Sequence, residues 1–184
     1  MTAPTFYRDL KYANEKRALL DQYFYLVVAR EGRFVALDRS PGSIYIQRNC
    51  HVDCIVASQR GGSVAIEEKI VRWPGRHYTA ICIETHSNLE RTRETAPDGW
   101  IYTSVADYLL YAFEQEDERS LRVSVFNLPK LRDWFITYPG VFPITDDRSN
   151  IYYTTRCSVV ALKKIPDDIY TLKEKMVREP KDER

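Results

Sequence analysis

The chain reads as an α/β domain, a β-sheet with helices packed against it, and three features of its 184 residues point there. Apolar residues near the N-terminus recur at helical intervals, at Leu10, Ala13, Leu20 and Phe24. Several later runs are rich in Val, Ile and Tyr and short enough to be strands. Helix-start chemistry then appears after a strand-like run, with Asn127 as N-cap and Pro129 in the first turn. At this length one domain with a proper core is expected, over residues 1–178, followed by a charged tail at 179–184 that should fray.

Taken in order, RDLKYANEKRALLDQYFYL predicts a helix of about 15 residues. FVALDRS predicts a short strand closed by Ser40-Pro41-Gly42. SIYIQRNCHVDCIVAS and SVAIEEKIVRW are both β-rich, and Gln59-Arg60-Gly61-Gly62 is a hairpin connection between them. HYTAICIET is a further strand, followed by a polar surface loop, HSNLERTRETAPDG. Trp100 to Tyr102 and ADYLLYAF read as more strand, EQEDERS as an acidic turn and LRVSVFN as a strand. PKLRDWFITY is a helix, NIYYTTRCSVVAL a late strand and PDDIYTLKEKM a final helix. Trp100, Trp134 and the aromatic residues around Phe135 are expected in the core.

Composition narrows the class. Hydrophobic residues make up 44% and charged residues 29%, ordinary for a globular protein and unlike a disordered one. No apolar run is long enough to span a bilayer, and the N-terminus has no apolar signal core, so a cytoplasmic protein is expected. The net charge of +1 neither requires nor excludes a nucleic-acid partner. Cys50, Cys54, Cys82 and Cys157 read as buried thiols in a reducing compartment. The spacings Cys50-x3-Cys54 and Cys82-x3-His86 put each pair on one strand face, too far apart to grip one zinc ion. A phosphate loop of the Walker type and a Gly-x-Ser-x-Gly elbow are both missing from the sequence.

The chemistry lies in the hairpin. Pairing its strands symmetrically about residue 60 sets Asp53 opposite Glu67, Ile55 opposite Ala65 and His51 opposite Lys69. The reverse face pairs Cys54 with Ile66 and Val56 with Val64, and a one-residue slip would scramble this sorting. Two carboxylates facing each other on neighbouring strands repel unless a positive charge lies between them. Carboxylates with few protein ligands and open water positions suit Mg²⁺ or Mn²⁺, with the backbone carbonyl of Glu68 as a further ligand. Lys69 is placed to orient or deprotonate an attacking water, or to stabilise charge building on a phosphate.

Asp53, thirteen intervening residues and then Glu67-Glu68-Lys69, on consecutive strands after an N-terminal helix, resembles the PD-(D/E)XK nuclease superfamily. The stretch from CIET through SNLERTRE to DGWIYTSVADYLLYAF also resembles small phage and prophage proteins of that superfamily, extending the likeness over roughly residues 15 to 113. Val52 stands where the superfamily usually has proline. The resemblance implies a restriction-endonuclease-like mixed central sheet flanked by helices, and metal-dependent hydrolysis of DNA phosphodiester bonds. Asp53 and Glu67 would bind the metal, Lys69 would be the catalytic lysine, and Glu15 would be the first-helix glutamate that reaches the metal. Glu84 and His51 are further candidates beside the site. Arg60, Arg72, Arg76, Arg91 and Arg93 are candidates for a phosphate-binding rim. A homodimer is expected, since so small an enzyme has little surface beyond its active face to grip a duplex. The alternative is an inactive protein of the same fold, a DNA-binding or assembly factor of the kind a phage would encode.

Overall fold

The computed structural model describes residues 5–25, 32–36, 50–58, 62–72, 79–86, 98–138, 142, 144–149 and 154–178. The chain opens with helix α1, Thr5–Leu20, extended by one π-helical turn, Asp21–Tyr25. Strands β1 (Gly32–Ala36), β2 (Cys54–Ser58), β3 (Ser63–Val71) and β4 (Ala80–His86) follow. A one-turn helix α2, Trp100–Thr103, leads into β5 (Tyr108–Glu114) and β6 (Ser120–Asn127). Helix α3, Leu128–Thr137, precedes β7 (Ile144–Ser149), β8 (Thr154–Ala161) and β9 (Tyr170–Arg178).

Six strands form one sheet in the order β1-β2-β3-β5-β6-β9, and three form a second in the order β4-β8-β7. The central pair β3–β5 is parallel and the other pairs are antiparallel, so the large sheet is mixed and the α/β class holds. The excursion from β3 to β5 passes through β4 and α2, as a parallel connection requires a crossover. YLLYAFE in β5 is a nearly continuous apolar run because the strand is covered on both faces. Leu109, Tyr111 and Phe113 face one core, shared with Ile81, Val160 and Leu131 of the second sheet and α3. Leu110 and Ala112 face the other, shared with Leu20, Phe24 and Tyr25 at the end of α1. The large sheet is therefore the middle layer.

Local signals placed most elements. Helix α1 passes at Asp21 into the π-helical turn, where Phe24 and Tyr25 continue its buried side, and the Asn127 side chain caps α3 by accepting from the Lys130 N–H at 3.0 Å. The acidic turn between β5 and β6 closes on Asp117, whose carboxylate accepts from the Ser120 N–H at 2.9 Å. No described helix is long and apolar enough to cross a membrane.

Two expectations need correction. The C-terminal segment is no helix: Asp167–Ile169 is a single 3₁₀ turn and Tyr170–Arg178 is strand β9. The open edge of β6 takes it as a partner, with Leu121 opposite Val177, and that pairing outweighs the helical composition of LKEKM. Trp100 to Tyr102 is one helical turn that buries Trp100 and Ile101, not strand. Ile144–Ser149 is β7, paired with β8, which supplies its ladder. Strand β4, Ala80–His86, lies in the second sheet and does not adjoin β3. The tail 179–184 and the turn Ser40-Pro41-Gly42 lie outside the described residues.

Candidate functional site

The hairpin register is the one the alternation demands: Cys54 pairs with Ile66, Ile55 with Ala65 and Val56 with Val64. Gly62 enters β3 at φ +86°, a conformation that side chains with a Cβ rarely adopt. At the other end β2 begins irregularly. The Asp53 N–H donates to the Ile66 carbonyl at 2.8 Å, and the Asp53 carboxylate takes the Glu68 N–H at 2.8 Å. A side chain thus caps the ladder where main chain would otherwise continue it. Glu68 turns its N–H toward Asp53, and strand geometry sends its carbonyl to the same edge.

Asp53 and Glu67 lie side by side. Glu67 is only 3% exposed. Burial pushes its carboxyl up, Lys69 opposes this, and the adjacent Asp53 adds to it, for a result of about 8. The Lys69 ammonium bonds the Glu67 carboxylate and lies 5.6 Å from the centre of the Trp100 ring. Burial lowers the lysine, but Glu67, Asp53 and Glu84 together hold it above its usual range. Glu84 therefore joins the field of the site from the second sheet, not from a strand beside β3.

His51 stands at the rim with φ 48°, in the left-handed region. Ser104 pins it there, donating its hydroxyl to the His51 carbonyl at 2.8 Å, while the Val105 N–H holds the Cys50 carbonyl at 2.9 Å. Burial and then Lys69 lower the imidazole, against Glu84 and Asp53. Gly99 makes the approach of β4 possible: a Cβ there would lie 2.2 Å from the Glu84 carbonyl oxygen.

Behind Asp53, on the α1 side of the sheet, a second polar group is buried. Arg17 donates from Nε to Glu68 Oε2 at 2.8 Å and from Nη2 to Asp53 Oδ1. Glu68 also accepts from the Tyr25 hydroxyl at 2.6 Å, and the Cys54 thiol lies 3.4 Å from that hydroxyl. Burial raises Glu68, with Asp53 adding and Arg17 opposing, and burial likewise raises Tyr25 and Cys54. Asp21, raised to about 7 by burial and by Glu68, has one buried carboxylate oxygen with no partner among the described residues.

Of the residues expected at the site, Asp53, Glu67, Lys69, His51 and Glu84 come together. Glu15 does not join them: its side chain is 60% exposed and pairs with Lys11 at 3.9 Å on the helix surface. Arg72 stacks on the Tyr12 ring, 4.0 Å from its centre. Arg60, Arg76, Arg91 and Arg93 lie outside the described residues. All four cysteines are free thiols.

The Glu68 side chain, Arg17, Tyr25 and Asp21 were not anticipated, yet two carry a legible signal. Arg17 falls on the stripe of Leu10, Ala13, Leu20 and Phe24, where a charge must find a buried partner. Glu68 falls on the inward parity of Val64, Ile66 and Ile70.

The donor set suits a hard cation. Glu67 is buried beside another carboxylate and resists ionisation, a cost that a divalent ion would relieve. Among the described residues no three His, Cys, Asp or Glu side chains converge to share one ion. The site would offer Asp53, Glu67 and the Glu68 carbonyl, with water completing the shell, the sparse ligation that Mg²⁺ accepts. Comparison with family models, curated proteins and solved structures finds no match to the chain.

Proposed function

We propose that the chain is a Mg²⁺- or Mn²⁺-dependent nuclease of the restriction-endonuclease-like, PD-(D/E)XK type, hydrolysing DNA phosphodiester bonds. The observation that carries this reading is the adjacency of the Asp53 and Glu67 carboxylates with the Lys69 ammonium on Glu67. The mixed sheet, with its parallel centre and a helix on the face behind the site, supports the fold assignment.

Asp53 and Glu67 would hold the cation with the Glu68 carbonyl. A carboxylate has about four acceptor positions, and Asp53 gives two to Arg17 and the Glu68 N–H, so it keeps capacity for a further partner. The bound ion would polarise a phosphoryl oxygen and lower the pKa of water. Glu67 would have to be ionised to hold the cation. The Lys69 ammonium, held on Glu67, would stand within the site where it can stabilise the negative charge that grows on the scissile phosphate. His51, lowered by burial and by Lys69, is neutral near pH 7 and can accept a hydrogen bond at the rim.

A second reading has its own observation. Arg17 already bonds Asp53, and Lys69 already bonds Glu67, so the charges can close on themselves as a non-catalytic protein of the same fold would need. The test is cleavage of single-stranded, duplex and branched DNA, and of RNA, with Mg²⁺ and with Mn²⁺. Cutting by wild type, lost in Glu67→Ala and Lys69→Ala, is the expected result. No cutting of any form with either ion favours the non-catalytic reading.

A further inference from the structure

We propose that Arg17 is a positioning residue: its guanidinium holds Asp53 and Glu68 together, so that the docking of helix α1 sets the geometry of the cation site. The inference rests on the reading of Asp53 and Glu67 as cation ligands.

Three observations, four hydrogen bonds in all, argue for it. Arg17 uses two different nitrogens, Nε to Glu68 and Nη2 to Asp53, so it fixes the two carboxylates relative to each other. Those carboxylates are also joined through the main chain, since Asp53 accepts the Glu68 N–H. Rotation of Asp53 away from Glu67 would break both bonds at once. The third observation is the Tyr25 hydroxyl on the remaining oxygen of Glu68, which ties the clamp to the far end of the same helical segment. A guanidinium fork can span two acceptors in a fixed plane, whereas an ammonium at this position is a single point that cannot hold both alignments. The Glu68 end of the clamp is buried, its side chain only 2% exposed, so the alignment set there is shielded from solvent.

The discriminating experiment uses Mn²⁺ alone, with the dissociation constant read from the electron paramagnetic resonance of the free ion and folding read separately by circular dichroism without metal. Wild type, Arg17→Lys, Arg17→Ala, Glu67→Gln and Lys11→Gln are compared. Partners that orient metal ligands are commonly worth about 10- to 100-fold in affinity. The expected result is weakening of that size in both Arg17 variants, with Lys11→Gln unchanged as the control for helix charge. Methylguanidinium should restore much of the affinity to Arg17→Ala. Arg17→Lys binding Mn²⁺ as tightly as wild type overturns the proposal, as does tighter binding in either variant, which would make Arg17 a competitor for Asp53. Loss of folding in both variants would make Arg17 merely structural and also overturns it. If wild type and Glu67→Gln bind Mn²⁺ equally weakly, the cation reading fails and takes the proposal with it. Failure of the Arg17 role alone leaves the contrast between those two proteins intact.

Discussion

The carboxylate of Asp53 caps the main-chain N–H of Glu68 at 2.8 Å and lies beside the Glu67 carboxyl on the same strand. One side chain thereby ends the β2–β3 ladder, anchors Arg17 and sets the charge beside Glu67. Asp53→Ala should cost about 2–3 kcal/mol, because a strand N–H and a half-buried guanidinium both lose their acceptor. Urea unfolding measures it. Asp53→Asn, which keeps an acceptor for the N–H, should cost less.

Glu67 makes stability fall with pH. Its carboxyl is raised from an ordinary 4.5 to about 8. Across that window the folded chain keeps a proton that the unfolded chain has released, so stability declines as pH rises and levels off above about 8. Glu67→Gln, which stays neutral, should lose most of this slope between about pH 5 and 8. Thermal melts across this range are the check. Asp21, raised to about 7, should leave the variant a residual decline that ends nearer neutrality.

Cation binding should run the other way with pH. An ion must displace the Glu67 proton, so Mn²⁺ affinity should rise by up to about tenfold per pH unit toward pH 8 and then flatten. Titrations at pH 6, 7, 8 and 9 test this. An affinity that does not change across the series would mean that Glu67 is not a ligand.

Gly99 is the contact point between β4 and the start of α2. A methyl group there would meet the Glu84 carbonyl oxygen at 2.2 Å and the Thr85 carbonyl carbon at 2.8 Å, both main chain. Gly99→Ala should therefore cost about 1–3 kcal/mol, as backbone must move to admit it. It should also shift Glu84 away from Lys69. A melt reports the first effect, and a lower Lys69 pKa by NMR reports the second.

The Asn127 cap is independent of the site. Asn127→Ala should lose about 1 kcal/mol by leaving the Lys130 N–H without its acceptor, while Asn127→Asp should retain most of the stability. Comparison by chemical unfolding, with Mn²⁺ affinity unchanged in both, separates this effect from those above.

What the sequence determined by itself is what depends on near neighbours along the chain. The two-residue alternation around Gly62 specified the hairpin register, because any slip would have turned Cys54, Val56, Val64 and Ile66 away from the core. Asp53 and His51 precede that ladder, and the bond from the Glu68 N–H to the Asp53 carboxylate is what fixes Asp53 beside β3. Helical spacing located α1, and the Asn127-Pro129 chemistry located α3. The tertiary structure decided whatever depended on a distant partner. Tyr170–Arg178 carries helix-forming residues but becomes β9 because β6 offers an unpaired edge. ITDDRS becomes a strand on the ladder of β8, and β4 joins a second sheet that still brings Glu84 to Lys69. Glu15 and Arg17 are two residues apart on one helix, yet Arg17 alone turns toward the sheet, where Asp53 and Glu68 compensate its burial. Local periodicity can mark a charged residue as facing inward. Which distant carboxylates receive it is settled only when the helix packs on the sheet.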